Sequence, residues 1–384
     1  MDSQRFIKIL ILIGVIAAIG IGGYFLWQFL ASKIIGGPGT GEIPSTEVVD
    51  IGEGGAIGAE VNTAEQTAAQ EAQTVTQKLS IFINSPVFEY WLNTKENSVY
   101  FANLDGQIIR INSNNSRQMA SSQTLNGLHK ITPSADGSLA IAEFNYPALP
   151  SLSVFFASST SWQPLPAETI SAAISPDSKK IAFTGQTALN ILDLQTQKTT
   201  EVQKMSQVGL NLNWLTDSAV LLQSDPSVEI RNYLYSFNLA DKTLRTLING
   251  EYGLDIKWAK DGNLGLKMNT ADRVAKLSLI DNFGSGIVNF TFLTMPEKCL
   301  LEAQNIYCGI PKNIREGIIL PDNYYKKSDY FVDDIFQINL PTGKIVKLFD
   351  GNEVALDATD LKIKDNALLF INRYDQKVYS LRLD

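Results

Sequence analysis

A single histidine, His129 in "NGLHKITP", bounds the chemistry open to this 384-residue chain. A multi-histidine metal site is excluded, and any nucleophile–histidine pair would have to converge on that one position. No G-x-S-x-G elbow occurs, since "FGSG" at 283–286 lacks the first glycine, and there is no H-E-x-x-H. Acid–base work by two carboxylates needs no histidine. Yet Asp136, Asp177, Asp217, Asp261 and Asp365 all stand in turn sequences that already explain them. "GGPGTGE" at 36–42 imitates a phosphate loop, but Glu42 occupies the place of the lysine and would repel phosphate. No catalytic residue, metal ligand or cofactor is assigned, and the chain is expected not to be an enzyme.

Two further groups stand out. Cys299 and Cys308 bracket "LLEAQNIY"; on an antiparallel hairpin they face one another within disulfide reach. The alternative is two separate buried thiols. Residues 311–334, "PKNIREGIILPDNYYKKSDYFVDD", mix Arg315, Tyr324, Tyr325, Lys326, Lys327, Asp329 and Tyr330, a composition suited to a contact surface. Tyr146 in "FNYPALPS" belongs to the same end of the fold and joins them as a candidate ligand or partner contact. The plainer reading is a solvated insertion packed on a rim.

Composition places these residues. The chain is 45% apolar and 19% charged, with net charge −8, so nothing suggests a nucleic-acid partner. Residues 9–32 are uncharged and mostly apolar, long enough for a membrane-spanning helix. Arg5 and Lys8 precede them, which predicts a cytoplasmic stub at 1–8 and the remainder outside, periplasmic or extracellular. A cleaved signal peptide is the rival reading, but its apolar core is normally shorter. Gly14, Ala18 and Gly22 share one face that suits helix–helix contact, although Gly and Ala are common in such helices anyway. Residues 33–77 contain seven acids and read as a flexible acidic linker.

From residue 78 onward, short β-branched and aromatic runs alternate with polar turns, the pattern of an all-β fold. One hairpin recurs. Its turns are marked by Asn97, Gly137, Ser178, Ser218, Gly262, Asn305 and Asn366, with steps of 40, 41, 40, 44, 43 and 61 residues. Four-stranded propeller blades repeat at about this length. The expected fold is therefore a seven-bladed β-propeller over 78–384, with six and eight as the bounds. The last copy stops after three strands, so residues 78–84, "KLSIFIN", are expected to supply its fourth and close the ring.

"ISPDSKKIAFTG", "NILDLQTQKTTEV" and "PSADGSLAIAEF" resemble the propeller repeats of TolB-type and related WD-like periplasmic proteins. Ser178 stands where that repeat usually has glycine. The resemblance implies the fold; function does not follow from it, because propellers host unrelated activities. The expected protein is a membrane-tethered binding or scaffold module for an envelope protein, peptide or glycan. The alternative is an envelope carbohydrate-active enzyme using carboxylates in the propeller channel.

Overall fold

The computed structural model describes residues 78–145, 149–207, 209–272 and 274–383. The expected membrane helix, linker and Gly14/Ala18/Gly22 face lie outside them, as does Tyr146. Among the described residues, no helix is long and apolar enough to cross a membrane.

The described chain is all-β. After β1 (Leu79–Ile83), the strands β2 (Glu89–Asn93), β3 (Ser98–Ala102), β4 (Ile108–Ile111) and β5 (Arg117–Ser121) pair in order as one antiparallel sheet. The next sheet holds β6 (Lys130–Pro133), β7 (Leu139–Phe144), β8 (Ser151–Phe156) and β9 (Ser161–Pro164). A third holds β10 (Ser171–Ile174), β11 (Lys180–Thr184), β12 (Ala188–Asp193) and β13 (Thr199–Lys204).

A seven-stranded sheet follows, comprising β14 (Leu210–Thr216), β15 (Ala219–Ser224), β16 (Arg231–Asn238), β17 (Leu244–Trp258), β18 (Leu264–Ala271), β19 (Val274–Asp281) and β20 (Gly286–Asn289). Its middle strand serves two partners. β17 pairs with β16 from Leu244 to Tyr252 and with β18 from Tyr252 to Trp258. The sixth copy contributes β21 (Cys299–Glu302), β22 (Asn305–Pro311), β23 (Asp333–Asn339) and β24 (Ile345–Phe349). The last sheet takes β25 (Ala358–Lys364), β26 (Ala367–Asn372) and β27 (Lys377–Arg382), and β1 pairs antiparallel with β27 at its edge.

The repeated turns have the backbone their residues predict. Asn97, Gly137, Ser178, Gly262 and Asn366 all have φ between 46° and 71°, where Gly and Asn are least penalised. Gly137 is required for space as well: a Cβ there would lie 2.0 Å from the Leu92 carbonyl oxygen of the neighbouring copy. In the sixth copy the left-handed position moves to Ala303. Asp177 accepts from the Ser175 hydroxyl at 2.7 Å and from the Lys179 amide at 3.1 Å, so it is a turn-former.

β3 is wholly buried and β7, β11, β15, β22 and β26 mostly so, and the core lies between successive sheets. Trp91, Tyr100 and Phe155 join the first sheet to the second, and Ile141, Ile174 and Phe183 join the second to the third. The circuit returns on itself: Ile83, Leu369 and Val378 of the last sheet pack on Tyr90, Val99 and Phe101 of the first. Each sheet thus buries the face its neighbour exposes.

Cys299 and Cys308 are directly opposed on β21 and β22 and form a disulfide, with a Cα–Cα distance of 4.2 Å. The bridge closes a short loop, for which chain-entropy arguments give about 2–3 kcal/mol. Replacing both cysteines by alanine is expected to lower unfolding free energy by about that amount, read from denaturant midpoints at constant m-value.

Candidate functional site

The first strand of each copy faces the central channel in this architecture, and three of them, with the turn before a fourth, carry charge into an otherwise apolar pattern. β2 begins "EY" with Glu89, the second half of β17 reads "DIKW" with Asp255 and Lys257, and β25 carries Asp360 and Lys362. A 3-10 turn, Pro296–Lys298, leads into β21 with Glu297 and Lys298. Polar side chains take these positions because strand alternation turns them away from the sheet-to-sheet core.

These residues converge. Lys362 Nζ contacts the Asp360 carboxylate and lies 3.4 Å from Glu89 Oε1 and 4.1 Å from the centre of the Tyr90 ring. Burial, reinforced by the Asp360 charge, raises the Glu89 pKa well above the ordinary carboxylate range. Burial acts on Asp360 too, but Lys362 and the hydrogen bond from Glu89 outweigh it and hold that carboxyl low. The two carboxyls are thereby pushed in opposite directions, Glu89 upward and Asp360 downward.

Asp255 forms the second centre. It is 6% exposed and accepts a 2.8 Å hydrogen bond from the Tyr325 hydroxyl. Burial and then the Glu297 charge push its pKa up to about 7, against the opposing effects of Tyr325 and Lys257. Glu297 pairs with Lys257 at 3.2 Å, and both side chains remain about one-third exposed (39% and 32%). Burial disfavours the Lys257 cation, yet Glu297 and Asp360 more than compensate and its pKa rises.

Below this cluster lies a fully buried one. Lys298 Nζ sits 2.6 Å from Asp333 Oδ2 and contacts the Asp357 carboxylate, all three side chains having no exposure. Arg373 completes it, 2.8 Å from Asp357 Oδ2. Asp333 Oδ1 has no hydrogen-bond partner, and burial raises this carboxyl to about 6 despite Lys298.

The insertion between β22 and β23 packs directly on this site. Its short helix, α1 (Asp322–Tyr325), is tied to the β15–β16 loop by Asp322, which accepts from Ser227 Oγ at 3.2 Å and the Val228 amide at 3.0 Å. Tyr324 is buried: its hydroxyl reaches Thr359 at 3.2 Å, and the Arg373 guanidinium lies 4.0 Å from its ring centre. Tyr325 is 41% exposed and bridges to Asp255. Arg315 is exposed and pairs with Asp329 at 2.6 Å, Lys326 and Lys327 point to solvent, and Tyr330 is 45% exposed beneath Arg373.

Sequence reasoning selected the insertion but missed Glu89, Asp255, Lys257, Glu297, Asp360 and Lys362. The available signal was a charged residue inside the apolar first strand of copies one, five and seven, and just before that of copy six. A shallow groove at Lys78, Lys347 and Asp350 lies on the outer strands and shares no residue with the channel cluster.

Removing Lys298 leaves two buried carboxylates short of one cation, so Lys298→Met is expected to cost about 3–5 kcal/mol of unfolding free energy. Asp255 generates a pH effect of known sign. With a folded pKa of about 7 against an ordinary 3.8, the native state holds a proton that the unfolded state has lost in that window. Its contribution is therefore fully present below the lower value and is lost as pH rises through about 7. Asp255→Asn is expected to flatten stability over this range, measured by denaturant titration at successive pH values.

No family model and no curated protein sequence matches the chain. Solved structures do. An oligogalacturonate lyase in complex with manganese aligns with a TM-score of 0.55 at 10% identity, over 80% of this chain and 90% of that one. The oligogalacturonate lyase of Vibrio parahaemolyticus gives 0.55 at 12%, over 79% and 92%. The β-propeller domain of the trilobed protease from Pyrococcus furiosus gives 0.50 at 12%, over 79% and 94%. The expectation that the chain is not an enzyme is corrected here, because the structures it resembles include two lyases. The lone histidine had left acid–base work by carboxylates open; only the turn aspartates were weighed for it, and the carboxylates on the first strands were not. With these likenesses the fold is established as a β-propeller.

Proposed function

We propose that the protein is an envelope carbohydrate-active enzyme whose channel carboxylates cleave a glycosidic bond by acid–base catalysis. The observation that carries this reading is Asp255: a desolvated carboxyl held near neutrality, bonded to Tyr325 and beside the solvent-reached Glu297–Lys257 pair. Two carboxylates in unlike environments divide acid and base roles between them. Protonated Asp255 donates to the leaving glycosidic oxygen. Glu297, as carboxylate, takes a proton from the attacking water, whose oxygen bonds to the anomeric carbon. Lys257 holds Glu297 in place, and Tyr325 keeps Asp255 oriented. The names of the similar lyases support a glycan substrate and leave elimination as the competing outcome of the same assay.

Manganese does not fit this cluster. Among the described residues no group of three or more His, Cys, Asp or Glu side chains converges to hold a metal ion, and Glu89, Asp360 and Glu297 each face a lysine. No step is routed through a metal.

The same reading takes the six sheets as seven blades, the seven-stranded sheet dividing at β17. It takes the repeat as TolB-type, residues 9–32 as the membrane anchor and 33–77 as the tether, with the propeller outside.

The test is turnover of an oligosaccharide panel, scored for new reducing ends and for an ultraviolet-absorbing unsaturated product. Asp255→Asn and Glu297→Gln are each expected to lower kcat roughly 100- to 10,000-fold. The rate should fall above about pH 7 as Asp255 ionises. Tyr325→Phe removes a bond that lowers the Asp255 pKa, so that limb should move upward. Unsaturated product would replace hydrolysis by elimination; no turnover by the wild-type chain on any member of the panel would sink the reading.

A further inference from the structure

β20 ends the seven-stranded sheet on its outer side and is paired with β19 alone. Its other long side therefore carries backbone donors and acceptors with no strand beside them. Edges of this kind are normally blunted by charge or by proline, and the other outer strands follow that rule. β5 carries Arg117, β13 carries Glu201 and Lys204, the first half of β17 carries Arg245, and β24 carries Lys347. β9 ends in Pro164, and Lys78 directly precedes β1. β20 has neither device. No charged residue stands between Asp281 and Glu297.

What this edge presents is apolar. All four residues of β20 are exposed, Ile287 by 52% and Val288 by 44%, and Phe283 in the turn before them is 69% exposed. Gly286 is an independent sign. It does not have a positive φ, so its backbone conformation does not call for glycine, and a Cβ there would meet nothing within 4 Å. Gly185, Gly265, Gly309 and Gly351 also lack a positive φ, but each has an atom within 3.4 Å of that position. A strand glycine that neither torsion nor crowding within the chain explains suits the close approach of another backbone.

The lack of charge selects what approaches. When two copies of one strand pair antiparallel about a two-fold axis, one residue stands opposite its own copy, about 5 Å away. A charge near that axis would meet its like, which is unfavourable. A different partner could instead match a charged edge with the opposite sign and gain specificity from it. Only self-pairing has a reason to forbid charge of either sign along the whole segment.

We propose that β20 is the edge through which two copies of this chain associate, antiparallel about a two-fold axis, so that their seven-stranded sheets become one continuous sheet. Phe283, Ile287 and Val288 are covered at the joint. The pairing is independent of the channel chemistry. Two edges of four residues bury less than the roughly 1,200 Å² at which stable interfaces begin, so the dimer is reversible and depends on concentration.

The test is sedimentation velocity of the full-length chain in detergent over a concentration series, which should show a monomer–dimer equilibrium. Ile287→Lys and, independently, Val288→Lys should each weaken association at least tenfold. Both positions are exposed, so the thermal midpoint of the monomer should not change. Gly286→Cys, Ile287→Cys, Val288→Cys and Asn289→Cys, made one at a time, should form a disulfide-linked dimer under mild oxidation, most strongly at the position nearest the axis. Gln118→Cys, on exposed β5, should remain monomeric. A chain that is monomeric at every concentration overturns the proposal. So does a dimer indifferent to both lysine variants, or cross-linking no stronger on β20 than at Gln118→Cys. Cross-links from β20 in native membranes that reach only a different polypeptide would also overturn it.

Discussion

Lys298 is a lysine with no solvent exposure, and its ammonium group is balanced by Asp333 and Asp357, which are equally dry. Taking such charges out of water costs several kcal/mol per ion, returned only when geometry and further hydrogen bonds are good. Here they are supplied from four segments. The Ala358 amide donates to Asp333 at 2.8 Å, the Phe331 amide donates to Asp357 at 3.0 Å, and Arg373 adds the second cation. Two cations and two carboxylates make a neutral unit. The rings of Phe331 and Tyr324 lie 5.3 and 5.9 Å from the ammonium and take its remaining field. An apolar plug could fill the same volume, but it would not fix which segments meet.

The insertion depends on that choice. Phe331 ends it on the ion cluster, Arg373 holds Tyr324 through its ring and its carbonyl oxygen at 3.1 Å, and Asp322 ties the far side to Ser227 and Val228. A loop without strand partners is thereby pinned at three places, and Tyr325 is delivered to Asp255. The raised proton affinity of Asp255 comes from burial and from the Glu297 charge, and the hydroxyl that the insertion brings to it acts in the opposite direction.

What could be read from the chain follows from how local each cause is. Tight turns restrict residue type within four positions, so Asn97, Gly137, Ser178, Gly262 and Asn366 were readable as one repeated feature, and each has the left-handed backbone. Ser218 marks the same step without it, and in copy six the role passes to Ala303, where side-chain type gave no hint. The cysteine pair was readable because a hairpin places both partners opposite one another. The channel was not. Glu89 and Lys362 meet across 273 residues, and no local pattern encodes that meeting. The insertion stood out as the part that does not repeat. Its tyrosines read as surface because their spacing says nothing about Tyr324 turning inward onto Arg373.

The channel charges also lie at the seam where the chain's two ends meet, and this joins chemistry to folding. Glu89 and Tyr90 come from the first sheet, Asp360 and Lys362 from the last; the Tyr90 hydroxyl donates to the Asp360 carbonyl oxygen at 2.8 Å. β1 on β27 and the Val87 amide on Gln376 fasten the same seam from outside. The upward shift of the Glu89 pKa depends on that seam being shut, since burial and the opposing carboxylate cause it. Opening the seam would admit water, separate the pair and return each carboxyl toward ordinary behaviour. The environment of such a pair is built in advance of any ligand. In this fold the advance construction is the closure of the sheet circuit itself.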